Sequence, residues 1–167
     1  MDNHETRKPI RLADYDYASE GYYFVTICVK DMQELLGKVV DVDDARKIDP
    51  LARPFVELTP IGQSVEETIL VANKSNIKVD KYVIMPNHIH MIIVLDPSVD
   101  GYKRPSLQQV VRNIKSFTTK HAKVELWQSR FYDHVIRDEA DYKRVWEYID
   151  NNPAKWFEDE YFNWTGS

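Results

Sequence analysis

The chain has 167 residues, 43% hydrophobic and 29% charged, enough for one compact domain with a real core but short for two. Its formal net charge of −5 excludes a general coat for polyanions, because proteins that cover nucleic acid through phosphate contacts carry a basic excess. No apolar run approaches the roughly 20 residues of a membrane-spanning helix, and the polar start MDNHETRKPI lacks an apolar signal core; the expectation is a soluble cytoplasmic protein with no membrane partner, one domain over residues 1–167.

The first clear element is YYFVTICVK (22–30), a β-branched and aromatic run after the breaker Gly21, which reads as a buried strand. It contains the lone cysteine, Cys28, so there is no internal disulfide and no cysteine-rich zinc site. LLGKVVDV (35–42) is expected to return beside it as a hairpin, and the polar, proline-containing stretch 43–54 to form a surface excursion. Ile61, Val65, Ile69 and Leu70 then repeat at helical spacing behind Thr59 and Pro60, which predicts a helix to about Lys74.

IKVDKYVIM (77–85) and HIHMIIVL (88–95) are separated only by the turn-forming pair Pro86–Asn87 and predict a central antiparallel hairpin. Ser106 and Gln109 form a capping box ahead of Leu107, Val110, Val111, Ile114 and Phe117, the apolar stripe of a second helix. SRFYDHVI (129–136) alternates like a strand. Asp138 then caps a helix with Tyr142, Val145, Trp146 and Ile149 on its apolar side, ending before Pro153. The order ββ-α-ββ-α-β-α suggests an α+β fold, an antiparallel sheet of about four to five strands with helices packed on it, of ferredoxin-like kind.

His88 and His90 are separated by one apolar residue on a strand, so both imidazoles project to one side while Ile89 points to the other. Two neutral imidazoles so placed can share a cation, although a bare His-x-His on a strand is also an ordinary pair of polar residues. Tyr148 and Asn152 stand four apart on the last helix and share a face; a helical tyrosine near tryptophan is usually a packing residue. Tyr142 is the competing candidate on that helix. The charge is local: between Lys103 and Lys123 there are six Lys/Arg and no acid. Lys103, Arg104, Arg112, Lys115, Lys120 and Lys123 are therefore the candidate phosphate contacts, with Tyr102 as a residue that could stack on an unpaired base.

These residues carry a resemblance to a family. MPNHIHMIIVL (85–95) resembles the histidine-hydrophobic-histidine motif of single-tyrosine transposases, and DYKRVWEYIDNNPAKW (141–156) resembles their tyrosine helix, nearest to the REP-associated tyrosine transposase branch of the IS200-like HUH family. RLADYDYASEGYYFVTICVK (11–30) and WQSRFYDHVI (127–136) are also similar to that branch, so four collinear blocks span nearly the whole chain.

The resemblance implies an HUH nuclease fold and a metal-dependent strand transferase that cuts and rejoins single-stranded DNA, at repeat hairpins, through a 5′-phosphotyrosine link. It implies Tyr148 as nucleophile, His88, His90 and Asn152 as ligands of Mg²⁺ or Mn²⁺, and single-stranded or hairpin DNA as partner, with a homodimer as one assembly open to it. The absence of a Walker-type sequence agrees with rejoining that needs no ATP. Two other readings stand beside this one: a domesticated hairpin-binding protein without turnover, and a metal hydrolase in which water attacks.

Overall fold

Alternation along one strand organises the molecule. In the computed structural model, which describes residues 21–73, 77–95 and 105–158, the Pro86–Asn87 turn joins β4 (Lys78–Met85) to β5 (His88–Leu95) as the sequence predicts. Every residue of β5 is buried. Such a strand needs neighbours on both edges and cover on both faces, and it has them. β1 (Gly21–Cys28) pairs with it antiparallel on the other side, and β6 (Tyr132–Ile136) pairs with β1, giving a four-stranded sheet in the order β4-β5-β1-β6.

One face of the sheet carries Tyr23, Val25, Ile27, Ile89, Met91, Ile93 and Leu95, which join the main hydrophobic cluster. Helices α2 (Pro60–Ala72) and α3 (Leu107–Ala122) cover that face through Val65, Ile69, Leu107, Val110, Val111 and Ile114. Each such aliphatic side chain contributes about 1.5–3 kcal/mol on full burial. Thr59 caps α2 through Gly62 N–H, and Gly62 is required there, since an added Cβ would stand 1.9 Å from the Leu36 carbonyl oxygen. The capping box of Ser106 and Gln109 starts α3 as expected.

The opposite face is covered by α4 (Glu139–Asn151), capped by Asp138, and holds a smaller cluster of Ile92, Val94, Ile136, Val145 and Ile149. α4 leans toward the β4 side. Lys81 hydrogen-bonds Asp150 at 2.7 Å and sits 3.7 Å over the Trp146 ring, and Tyr142 donates to Asp80.

Some expectations change. The segment 35–42 does not pair with β1: its strand β2 (Gly37–Val40) pairs with β3 (Phe55–Leu58) in a separate two-stranded sheet. The excursion between them contains a short helix, α1 (Asp43–Arg46). Phe117 is 58% exposed, and its expected place in the apolar stripe is taken by Thr118, whose hydroxyl accepts from Trp127 Nε1 at 2.7 Å. A hydroxyl with a fixed donor can be buried at little cost, which lets the helix present position 118 instead of 117. Leu70 is likewise turned outward, at 45% exposure. Among the described residues no helix is long and apolar enough to cross a membrane.

Candidate active site

Because β5 alternates, His88 and His90 fall on the α4 face, and both are buried. Their ring centroids are 4.5 Å apart. The register puts Thr26 of β1 opposite His90, with Thr26 Oγ1 2.7 Å from His90 Nδ1. Asn87, in the turn, accepts a 2.6 Å hydrogen bond from His88 Nδ1 through its side-chain oxygen. An amide oxygen only accepts, so His88 carries its proton on Nδ1 and a lone pair on Nε2, the tautomer a metal ligand needs.

Burial pushes the His88 imidazole down to about 3, against the opposing pull of the Asn152 amide. Burial, and then the neighbouring His88, push His90 well below the ordinary histidine value. Both rings are therefore neutral near pH 7, the state in which imidazole binds cations.

The last turn of α4 brings the other two candidates to this pair. The Tyr148 ring stands 5.2 Å from His90 and 5.9 Å from Phe24, edge to face in both cases, yet the residue is 40% exposed. Asn152 follows one turn later: its Nδ2 donates to the Tyr148 carbonyl at 3.4 Å, while its buried Oδ1 lies toward His88 without a hydrogen bond of ordinary geometry. A buried amide oxygen without a donor costs stability unless a ligand takes it up. Trp156, in the 3₁₀ turn Pro153–Glu158, stacks on His88 at 6.2 Å. The structure thus brings His88, His90, Tyr148 and Asn152 together.

Tyr142 is elsewhere and otherwise engaged. It donates to Asp80 and packs against Tyr22, and the hydrogen bond to that carboxylate, with burial, pushes its phenol up to about 12. It is a poor nucleophile on both grounds.

The basic candidates are dispersed. Lys103, Arg104 and Tyr102 lie outside the described residues. Arg112, Lys120 and Lys123 are exposed on or just past α3, across the sheet from the histidines, and the structure does not bring them to the site. Lys115 is committed to the fold, where its ammonium donates to the carbonyls of Gln128, Ser129 and Arg130 at 2.7, 3.3 and 3.0 Å. On α4 itself, Arg144 stands one turn before Tyr148 with a side chain 75% exposed. Sequence reasoning missed Thr26, Asn87 and Trp156. Strand parity could have flagged Thr26 and adjacency Asn87, but only the three-dimensional register assigns their partners.

Comparison with known proteins identifies the family. The family model described as Transposase IS200 like matches residues 59–152, more than half of the chain, and the chain belongs to that family of transposase enzymes. It is 31% identical to an uncharacterised protein of Haemophilus influenzae over 93% of both chains. It is 29% identical to the REP-associated tyrosine transposase of Escherichia coli K12, over 59% of this chain and 58% of that one. Among solved structures, a REP-associated tyrosine transposase bound to a REP hairpin superposes with a TM-score of 0.58 at 22% identity, covering 86% of this chain and 74% of that one. That likeness establishes the shared α+β fold.

Proposed function

We propose that the protein cleaves and rejoins single-stranded DNA through Tyr148, with Mg²⁺ or Mn²⁺ held by His88, His90 and Asn152. The observation that carries this reading is the convergence at one spot of two neutral, oriented imidazoles, a buried amide oxygen and a partly exposed tyrosine ring. Among the described residues no group of three or more His, Cys, Asp or Glu could hold a metal; two imidazoles and one amide oxygen would form a neutral donor set that suits a hard divalent cation still able to take phosphate and water. Held there, a divalent cation would supply Lewis-acid polarisation of the scissile phosphate.

The rest of the chemistry belongs to the chain. Thr26 and Asn87 hold the two rings in place, and Phe24 and His90 hold the Tyr148 ring beside the histidine pair. The Tyr148 oxygen attacks phosphorus, and the bond to the 3′ oxygen breaks. The phenol's proton is balanced by the proton the leaving oxygen takes up, giving a 5′-phosphotyrosine link and a free 3′-hydroxyl. The phosphodiester energy stays in that link, so attack by another 3′-hydroxyl rejoins the strand without a nucleotide cofactor. Hairpin DNA with adjoining single strand is the proposed partner, by likeness to the solved complex.

The test is incubation of labelled single-stranded DNA from around the gene with protein and Mn²⁺, followed by a denaturing gel. A covalent adduct in wild type that is absent in Tyr148→Phe is the expected result. Binding without adduct would make the protein a hairpin-binding relative without turnover. Cleavage without adduct, retained in Tyr148→Phe, would make water the nucleophile.

A further inference from the structure

We infer that Tyr132 is the stacking platform for an unpaired base next to the scissile phosphate. This inference rests on the strand-transferase reading above for the position of that phosphate. In the register of the sheet, His90 of β5 stands opposite Thr26 of β1, and Thr26 stands opposite Tyr132 of β6. Residues paired across antiparallel strands point to the same face. His90, Thr26 and Tyr132 therefore form one row across the α4 face, and the Thr26–His90 hydrogen bond fixes its inner half.

Two strand spacings separate the ends of the row, about 10 Å, a distance over which a DNA strand held at the histidines reaches Tyr132 with a neighbouring base. α4 leans toward β4, and Tyr132 on the edge strand is 46% exposed. An aromatic ring left open on a row whose other members are buried is what a base needs to stack on.

The chemistry around it fits a nucleotide rather than a protein partner. His134, two residues along β6 on the same face, bonds Asp141 at 2.7 Å, and the other oxygen of Asp141 holds Arg144. Asp141 thus fastens α4 to β6 and holds an exposed guanidinium at that junction, one turn from Tyr148. A ring for a base and a cation for the backbone, next to a tyrosine and two histidines, is the combination by which single strands are gripped. The net charge of −5 makes such a local contact more telling than it would be on a basic surface.

The experiment uses the full chain and an oligo-dT single strand carrying one 2-aminopurine, read by fluorescence quenching and by affinity. Tyr132→Ala is expected to lose the quench and to weaken binding by about tenfold, with an unchanged melting temperature; Tyr132→Phe keeps both. Binding and quenching in Tyr132→Ala equal to wild type would overturn the assignment, as would failure of wild type to bind and quench the probe at all. Should Tyr132→Ala melt early, the milder Tyr132→Leu, which keeps bulk but not the ring, decides by the same readouts. Failure of the strand-transferase reading is distinct: wild type would quench the probe in a Tyr132-dependent way and still form no covalent adduct.

Discussion

The two faces of β5 are equally buried and differently composed. Toward α2 and α3 it turns Ile89, Met91, Ile93 and Leu95; toward α4 it turns His88 and His90 before returning to Ile92 and Val94. Burial alone does not tell a core from a site. The difference lies in what meets each side chain: on one face other hydrocarbons, on the other a threonine hydroxyl, an asparagine amide and a tyrosine ring. The apolar face supplies the stability that lets the other keep neutral polar groups out of water, a division in which local cost at the site is offset elsewhere.

The sharpest break of that comparison is at Tyr148. Tyr148→Phe should abolish the covalent adduct on a denaturing gel with unchanged folding, whereas Tyr142→Phe should keep the adduct, since Tyr142 is tied to Asp80 away from the histidines. Next come the paired substitutions on β5 itself. Ile93→Ala should destabilise by about 2–5 kcal/mol in urea titrations while folded protein retains adduct formation. His90→Leu should melt within a few degrees of wild type, yet lose both the adduct and any rise in melting temperature on adding Mn²⁺.

Smaller effects separate two of the cations of α3, Lys115 and Arg112. Lys115→Met should cost about 1–3 kcal/mol of stability, because three carbonyls lose their charged donor, and should leave the salt dependence of DNA binding alone. Arg112→Ala should do the reverse, leaving stability unchanged and lowering the log-log salt slope by roughly one unit if it meets a phosphate. Equal slopes would show that the α3 surface is only solvated.

The smallest concerns pH. Burial of Asp141 opposes its charge, but the hydrogen bonds from His134 and Arg144 prevail and hold its carboxyl below the ordinary value. A depressed carboxyl stabilises above its unfolded pKa of about 3.9 and loses that contribution as pH falls through the lower folded value. Wild type should therefore lose more stability than Asp141→Asn in denaturation curves taken below about pH 4.

How much of this was legible in the sequence follows from what each signal encodes. The β4–β5 hairpin, both long helices on the apolar face and the shared face of His88 and His90 follow from period and punctuation, which are local. The pairing of β2 does not: a short GKVV strand states which residues are apolar and not which edge they will meet. That Tyr148 and Asn152 share a face was readable because a helix brings positions four apart together; the roles proposed for them come from the family resemblance, since spacing alone does not tell a packing tyrosine from a reactive one. Thr26, Trp156 and the Lys115 clamp were not, because each is defined by contacts between segments distant in sequence.

The turn that starts β5 has a consequence for where the chain tolerates an added residue. Asn87 is 2% exposed, its carbonyl accepts from Val29 N–H at 2.8 Å, and the Pro86 carbonyl accepts from Leu36 N–H at 2.9 Å. One residue added in the turn, or between Val29 and Leu36, would pull these bonds out of step and invite a slip that sends both imidazoles into the hydrocarbon face. A residue added between Val40 and Phe55 only lengthens a loop beyond the clamp. An insertion in the excursion at 43–54 is therefore expected to cost less than one beside the turn, where main-chain bonds rather than side chains fix the spacing.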